Sequence, residues 1–213
     1  MQETDFVKIP ALKRLFDMVF SLSVILLFSP LVLLTLLSIF IEHIVLHRTF
    51  SPLFYSEKRI SQGGQFNFRK FNIFKPRVIE SLKSSGTFIH TKPLEHDGYS
   101  LTHTGRFLQK IYLDEFPQFF NILKGDISLI GPRPVNLEVY QGLLDRGIHT
   151  KTVIRAGLTG YYQSMKGVTK KTDIELDQEY IEYCRKHGAI KILLFDFKII
   201  INTIKVLFRA QGI

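Results

Sequence analysis

Residues 18–41, "MVFSLSVILLFSPLVLLTLLSIFI", carry no charge over 24 positions and consist largely of Leu, Ile, Val and Phe. A stretch of that composition reads as a membrane segment. As a straight helix it would reach roughly 36 Å at ~1.5 Å per residue, enough for a hydrocarbon core of roughly 30 Å. Pro30 stands near its middle. Proline removes one amide donor, crowds the carbonyl four residues back, here that of Leu26, and pushes Ser29 away from helical geometry. In lipid the freed carbonyl needs a partner, which the Ser29 hydroxyl can supply. Two topologies follow. One is a kinked spanning helix; the other is a hairpin that enters one leaflet and returns, its arms of about 18 Å reaching only mid-bilayer. Lys8, Lys13 and Arg14 before the segment, with Arg48, Lys58 and Arg59 after it, give both flanks the cytoplasmic signature. The run is too long for a cleaved signal peptide and lacks a small-residue cleavage site.

The remainder of the 213 residues is enough for one ordinary domain. A formal charge of +9 draws phosphate-bearing partners, whether nucleotide, anionic lipid or nucleic acid. No nucleic-acid recognition motif accompanies it. Cys184 is the one cysteine, which excludes an internal disulfide and a cysteine-rich metal site. Residues 51–74 predict two short strands around Gly63-Gly64, with Phe66 and Phe68 alternating against Asn67 and Arg69. Residues 75–104 predict loops with one short helix at 77–84 and turn signals at Ser84-Ser85-Gly86 and Asp97-Gly98. A helix is expected over 105–112, ending at the acids of "YLDEFPQFFNILKGD". A second begins at Pro117 and turns Phe116, Phe119, Phe120 and Leu123 inward. "ISLIGPRP" reads as a strand and a rigid loop, and "RAGLTGYYQ" as a loop. Helices are expected over 135–145, 174–186 and 189–209. The last sets Ile190, Leu193, Leu194, Phe197, Ile200, Ile201, Ile204, Leu207 and Phe208 on one side and Lys191, Lys198, Lys205 and Arg209 on the other, a pattern that suits a headgroup layer or an ordinary core.

Asp114 and Glu115 are the residues most suited to chemistry. At a helix start, the unsatisfied amides and partial positive charge favour ionised carboxylates and attract phosphate. Such a pair can hold Mg²⁺ through oxygen alongside substrate phosphates, can supply a nucleophile for phosphorus, or can simply stabilise the helix end. Arg59, Lys70, Arg106, Lys110, Arg133 and Arg155 are the candidate phosphate contacts, with Arg133 held between Pro132 and Pro134 as a diphosphate clamp requires. His43 and His47, four apart, lack further ligands. There is no HExxH, CxxC or GxxxxGK[ST].

"KRLFD", the Ser-Pro within the membrane run, "SPLFYSEKRISQGGQFNFRKF", "LDEFPQFFNILKGDISLIGPRP", "RAGLTGYYQ" and "DFKIIINTIKVL" occur in an order that resembles the bacterial sugar transferases, monotopic phosphoglycosyl transferases acting on polyprenyl phosphate. The resemblance runs from about Lys13 to Gly212, the size of the minimal catalytic unit. It implies an α+β fold. A re-entrant helix-break-helix occupies residues 1–48, with its apex at Ser29-Pro30. A small, mostly helical membrane-associated domain with short strands and interfacial amphipathic helices occupies 49–213. It also implies transfer of a phospho-sugar from a nucleotide diphosphate sugar, usually a UDP-sugar, to undecaprenyl phosphate with release of UMP, at the cytoplasmic face of the bacterial inner membrane. Asp114 would be the nucleophile forming a phosphosugar-aspartyl intermediate, Glu115 would help hold Mg²⁺, and Arg133 would grip the nucleotide. The implied partners are the nucleotide-sugar donor, undecaprenyl phosphate, membrane lipid and downstream glycosyltransferases, with no nucleic acid. Asn72, Ser100 and Gln109 stand where the family commonly has arginine, removing three cations near a phosphate site. The competing expectation is a non-enzymatic membrane-bound scaffold for nucleotide sugars or glycosyltransferases.

Overall fold

The computed structural model describes residues 6–46, 48, 51–84, 94–95 and 97–209. The expected turn at Ser85-Gly86 and the histidine at 47 lie outside the described residues. The chain forms two compact units. The first comprises Met1–Ser23, Lys58–Phe68 and Phe119–Ile213, and the second Val24–Glu57 and Arg69–Gln118.

Several elements contribute to both units. Helix α1, Ala11–Val45, is one continuous helix with Pro30 inside it, where two helical arms were expected. Its continuity has a local cause. The Ser29 hydroxyl donates to the Leu26 carbonyl at 2.8 Å, taking up the acceptor that proline cannot serve. The most apolar 18-residue window of α1 is only 11 % buried within the protein, so its leucines face outward as a lipid-contacting helix requires. Strands β1, Phe54–Ser61, and β2, Gly64–Phe71, form a two-stranded sheet. Their two-residue turn is Gln62-Gly63, both at positive φ (49° and 75°), so the reversal falls one residue earlier than Gly63-Gly64. Along β2 the alternation holds: Phe66 and Phe68 are buried while Asn67 and Arg69 are exposed.

The first unit is built around a short parallel pair, β3, Ser128–Ile130, against β4, Gly157–Thr159. The "RAGLTGYYQ" segment was expected to be a loop. It supplies β4 and the one-turn helix Tyr161–Ser164, because its backbone is completed by a strand about thirty residues away and not by its own pattern. The strands approach closely at Gly131 and Gly157, where a Cβ on Gly157 would lie 2.1 Å from the Gly131 nitrogen. Around this pair stand α5, Leu137–Asp145, the one-turn helix Thr150–Val153, α6, Asp173–Lys186, and α7, Ala189–Phe208. Helix α6 starts at a capping box. Thr172 Oγ1 accepts from the Glu175 amide at 3.2 Å, and the Glu175 carboxylate accepts from the Thr172 amide at 2.7 Å. The core gathers Val7, Phe66, Phe68, Ile122, Ile127, Leu129, Ile130, Tyr180, Ile192 and Ile199.

Helix α7 leaves much of its apolar side exposed and buries a different seam. Ile192, Asp196, Ile199, Thr203 and Val206 face inward, whereas Ile190, Leu194, Phe197, Ile201, Ile204 and Phe208 are exposed. The two polar members of the seam explain the rotation. Asp196 accepts from Lys13 Nζ at 2.5 Å and from the Tyr180 hydroxyl at 2.9 Å, and Thr203 shares a 3.1 Å hydrogen bond with Thr159. Lys13 and Arg14, counted above as flanking charges, are therefore committed inside the protein. Arg14 donates to the Ile122 and Leu123 carbonyls at 2.6 and 2.8 Å. Those carbonyls close helix α4, Gln118–Lys124. On α4, Phe120 is 48 % exposed instead of inward, because Asn121 turns in to donate to the Asn67 carbonyl at 2.9 Å and carries Ile122 with it.

The second unit places the acidic segment. Helix α2, Pro76–Ser84, follows β2, and α3, His103–Lys110, follows the 97–102 loop. Near the end of α1, Glu42 accepts from the amides of His103 and Thr104 at 2.6 and 2.8 Å, while Thr102 caps the same turn. Helix α3 ends at Lys110, and a 3₁₀ turn, Leu113–Glu115, follows.

Candidate active site

Alternation along β2 puts Lys70 on the same face as Phe66 and Phe68, so its ammonium is directed inward. One residue on, Phe71 stacks on Phe116 with centroids 6.4 Å apart and planes at 4°. That contact lies just after the 3₁₀ turn, which is reached through Tyr112 in the left-handed region (φ 57°). A tyrosine there stores backbone strain, of order 1–3 kcal/mol. The outcome is a compact ionic cluster. Lys70 Nζ lies 3.2 Å from Glu115 Oε1, 3.5 Å from Asp114 Oδ2 and 3.8 Å from Glu95 Oε1.

The acids lie just ahead of α4, in the 3₁₀ turn, and the charge set against them is that of Lys70. Asp114 is 3 % exposed, and this burial pushes its carboxyl up to about 6. Lys70 acts in the opposite direction, but Glu115 and Glu95 add to the burial. The site thus holds a carboxylate whose ionised form is little compensated by its surroundings, as suits a group that must become nucleophilic or bind a cation. Among the described residues, no group of three or more His, Cys, Asp or Glu could hold a metal ion by itself. Two adjacent carboxylates still fit a hard cation that completes its shell with water and substrate phosphate.

Of the other predicted contacts, Arg106 belongs to the same unit as the acids, but its guanidinium donates to the Gly98 carbonyl. Arg59, Pro132, Arg133, Pro134 and Arg155 belong to the first unit. There the Pro132 carbonyl accepts from the Gly157 amide at 2.9 Å, and the Pro134 carbonyl accepts from Arg59 at 2.8 Å. Arg59 also lies 4.6 Å over the Phe68 ring. These contacts fix the loop on both sides of Arg133, which is half-buried. Arg155 lies among Arg14, Asp17 and Asp126, and burial followed by the Arg14 charge lowers its pKa.

The positions that depart from arginine are occupied by local structure. Asn72 is fully buried, donating to Ser51 Oγ and the Pro52 carbonyl at 3.2 and 2.8 Å and accepting from the Phe74 amide at 3.1 Å. The Ser100 hydroxyl donates to Asp97, and Gln109 Nε2 donates to the Glu95 carbonyl at 3.1 Å. Glu95 was missed from sequence. It is one acid in a polar tract, and only folding brings it to a lysine 25 positions earlier.

A profile described as bacterial sugar transferase matches residues 9–210. The chain is 29 % identical over 210 residues to an undecaprenyl-phosphate galactose phosphotransferase of Salmonella typhimurium, covering 94 % of this chain and 41 % of that protein. It is 31 % identical over 208 residues to the UDP-N-acetylgalactosamine-undecaprenyl-phosphate N-acetylgalactosaminephosphotransferase of Aeromonas hydrophila, covering 94 % and 44 %. The chain thus spans less than half the length of these two relatives. The uncharacterised sugar transferase EpsL of Bacillus subtilis is 28 % identical over 205 residues, and there 90 % of the relative is covered.

Proposed function

The chain belongs to the bacterial sugar transferase family, and from that membership we propose that it transfers a sugar phosphate from a nucleotide diphosphate sugar, a UDP-sugar, to undecaprenyl phosphate and releases UMP. The observation that carries this reading is the buried Asp114, with Lys70 Nζ 3.5 Å from its carboxylate and 3.2 Å from that of Glu115. A carboxylate nucleophile, a cation for phosphate charge and a second carboxylate are gathered in one place.

In the first step an Asp114 carboxylate oxygen attacks the sugar-bearing phosphorus. The phosphorus–oxygen bond to the nucleotide breaks, and UMP leaves with the electron pair. In the second, an oxygen of undecaprenyl phosphate attacks the same phosphorus, the bond to Asp114 breaks, and the carboxylate is regenerated. Lys70 offsets negative charge at the phosphoryl group, and the pocket that burdens the Asp114 charge makes its transfer onto phosphorus more favourable. Arg133, presented by its anchored loop, is the candidate grip on the nucleotide. Mg²⁺ held by Glu115 and Asp114 would supply charge neutralisation for the diphosphate.

The protein is membrane-associated through α1. We take α1 as re-entrant, with Ser29-Pro30 at its deepest point and both ends on the cytoplasmic side of the inner membrane. Basic residues on both flanks, Lys8 before the apolar run and Arg48 after it, support that reading. The exposed stripe Ile190, Leu194, Phe197, Ile201, Ile204 and Phe208 supports an interfacial position for α7. Purified protein incubated with Mg²⁺, undecaprenyl phosphate and a panel of UDP-sugars tests the activity. UMP release with one or more donors is expected; nucleotide-sugar binding without UMP would identify a scaffold instead. Downstream glycosyltransferases are the partners expected for its lipid-linked product.

A further inference from the structure

Lys70 is shared by three carboxylates. Asp114 and Glu115 come from the 3₁₀ turn, whereas Glu95 reaches the same ammonium from a separate segment, at the longest of the three distances, 3.8 Å. The Glu95 backbone is itself anchored, since Gln109 on α3 donates to its carbonyl at 3.1 Å. Lys70, Glu95 and Glu115 are each largely enclosed, with side chains 12, 14 and 14 % exposed, so the contact is only partly screened by water. A diphosphate brought to Asp114 adds anionic oxygens to a cluster that already holds three carboxylates around one cation. Asp114 and Glu115 are required in place for the chemistry proposed above. Glu95 is not.

We infer that the Glu95 carboxylate stands in for a donor phosphate on Lys70, holding the ammonium in the donor-free enzyme and exchanging with the incoming diphosphate. Glu95 is then a positioning residue that acts through Lys70 and sets how much donor is needed. The inference rests on the reading of Lys70 as a donor-phosphate contact. A cation engaged by an internal anion is competent only in the fraction of molecules where that anion has left, and apparent affinity falls by the same fraction. A metal-ligand role for Glu95 is the competing possibility, and it predicts the opposite effect on nucleotide binding.

The test uses the full chain in detergent or nanodiscs, with UDP in Mg²⁺ as the calorimetric probe and UMP release as the kinetic one. Glu95→Gln keeps the shape and removes the charge. It should tighten UDP binding about three- to tenfold and lower the donor KM by the same factor, with kcat little changed. Glu95→Asp, which keeps the charge, should stay near wild type. In a Lys70→Met background, Glu95→Gln should have no effect on UDP affinity. Misfolding cannot mimic a gain in affinity. Wild-type turnover with an unchanged KM in Glu95→Gln would overturn this inference alone. So would weaker UDP binding, or a higher Mg²⁺ requirement, in that variant. A folded wild type that neither binds UDP nor releases UMP would overturn the transferase reading and this inference with it.

Discussion

Replacing the proposed nucleophile should stabilise the protein while abolishing its activity. Asp114 is 3 % exposed, and burial, with help from Glu115 and Glu95 and against the pull of Lys70, moves its carboxyl from 3.8 to about 6. Between those values the folded state holds a proton that the unfolded state has lost, so stability falls as pH rises through that window. Well below pH 3.8 both states are protonated and the penalty is absent; above pH 7 both are ionised and it is complete. At ~1.4 kcal/mol per pH unit the penalty is about 3 kcal/mol. Asp114→Asn removes the titrating group, though it also takes one of three carboxylates from Lys70, so about 3 kcal/mol is the ceiling. For a chain of this length, that ceiling corresponds to roughly 6–12 °C in Tm. Thermal unfolding of both proteins in detergent with EDTA, from pH 4 to 8, measures the difference directly, because titrations common to both cancel. The variant should gain stability at pH 7.5 and lose that advantage near pH 4, and saturating Mg²⁺ should narrow the gap by binding the wild type. A variant less stable than wild type at pH 7.5, or one whose gain does not change with pH, would refute the reasoning.

Lys13→Met strands Asp196 in the core, together with Asp17, 4.0 Å from the same ammonium. The loss should be about 3–5 kcal/mol, and Lys13→Met/Asp196→Asn should recover much of it by the same thermal assay. Single cysteines at positions 8 and 48, in a Cys184→Ser background, should both resist an impermeant thiol reagent applied to intact cells from the periplasmic side. Ser29→Leu/Pro30→Leu restores a helix donor and should favour a span, exposing one of the two; labelling of exactly one site in the parent would contradict re-entry. Glu115→Gln should raise the Mg²⁺ concentration for half-maximal UMP release by tenfold or more, because an amide is a poorer ligand than a carboxylate. An unchanged Mg²⁺ dependence would remove Glu115 from the metal site.

What could be read from sequence was what a local segment decides by itself. The uncharged run became α1, and the carbonyl that Pro30 would orphan is taken by the Ser29 hydroxyl as its chemistry required. Alternation gave the burial of Phe66 and Phe68, and the helix expected over 174–186 is α6. The misses share a different cause. β4 is three residues long, too short to show a period, and exists through pairing with β3. The sequence left open whether α7 turns its most apolar side inward or outward; it turns outward because Asp196 and Thr203 have partners on other elements, which hydropathy cannot register. In the candidate site the sequence offered Asp114 and Glu115 as an acid pair and Lys70 as one of six candidate cations, without showing that they meet. The direction of the Asp114 pKa was not legible, since it follows from burial and from Glu95, both products of tertiary structure.

The central claim is that Asp114 carries the sugar phosphate between donor and acceptor. Wild-type protein mixed with Mg²⁺ and the donor active in the panel, labelled in its sugar phosphate, without any undecaprenyl phosphate, tests it most directly. Release of UMP up to about one equivalent is expected, with the label retained on the protein and discharged when undecaprenyl phosphate is added, and with neither event in Asp114→Asn. UMP appearing only when undecaprenyl phosphate is also present, or near-normal transfer by Asp114→Asn, would contradict it.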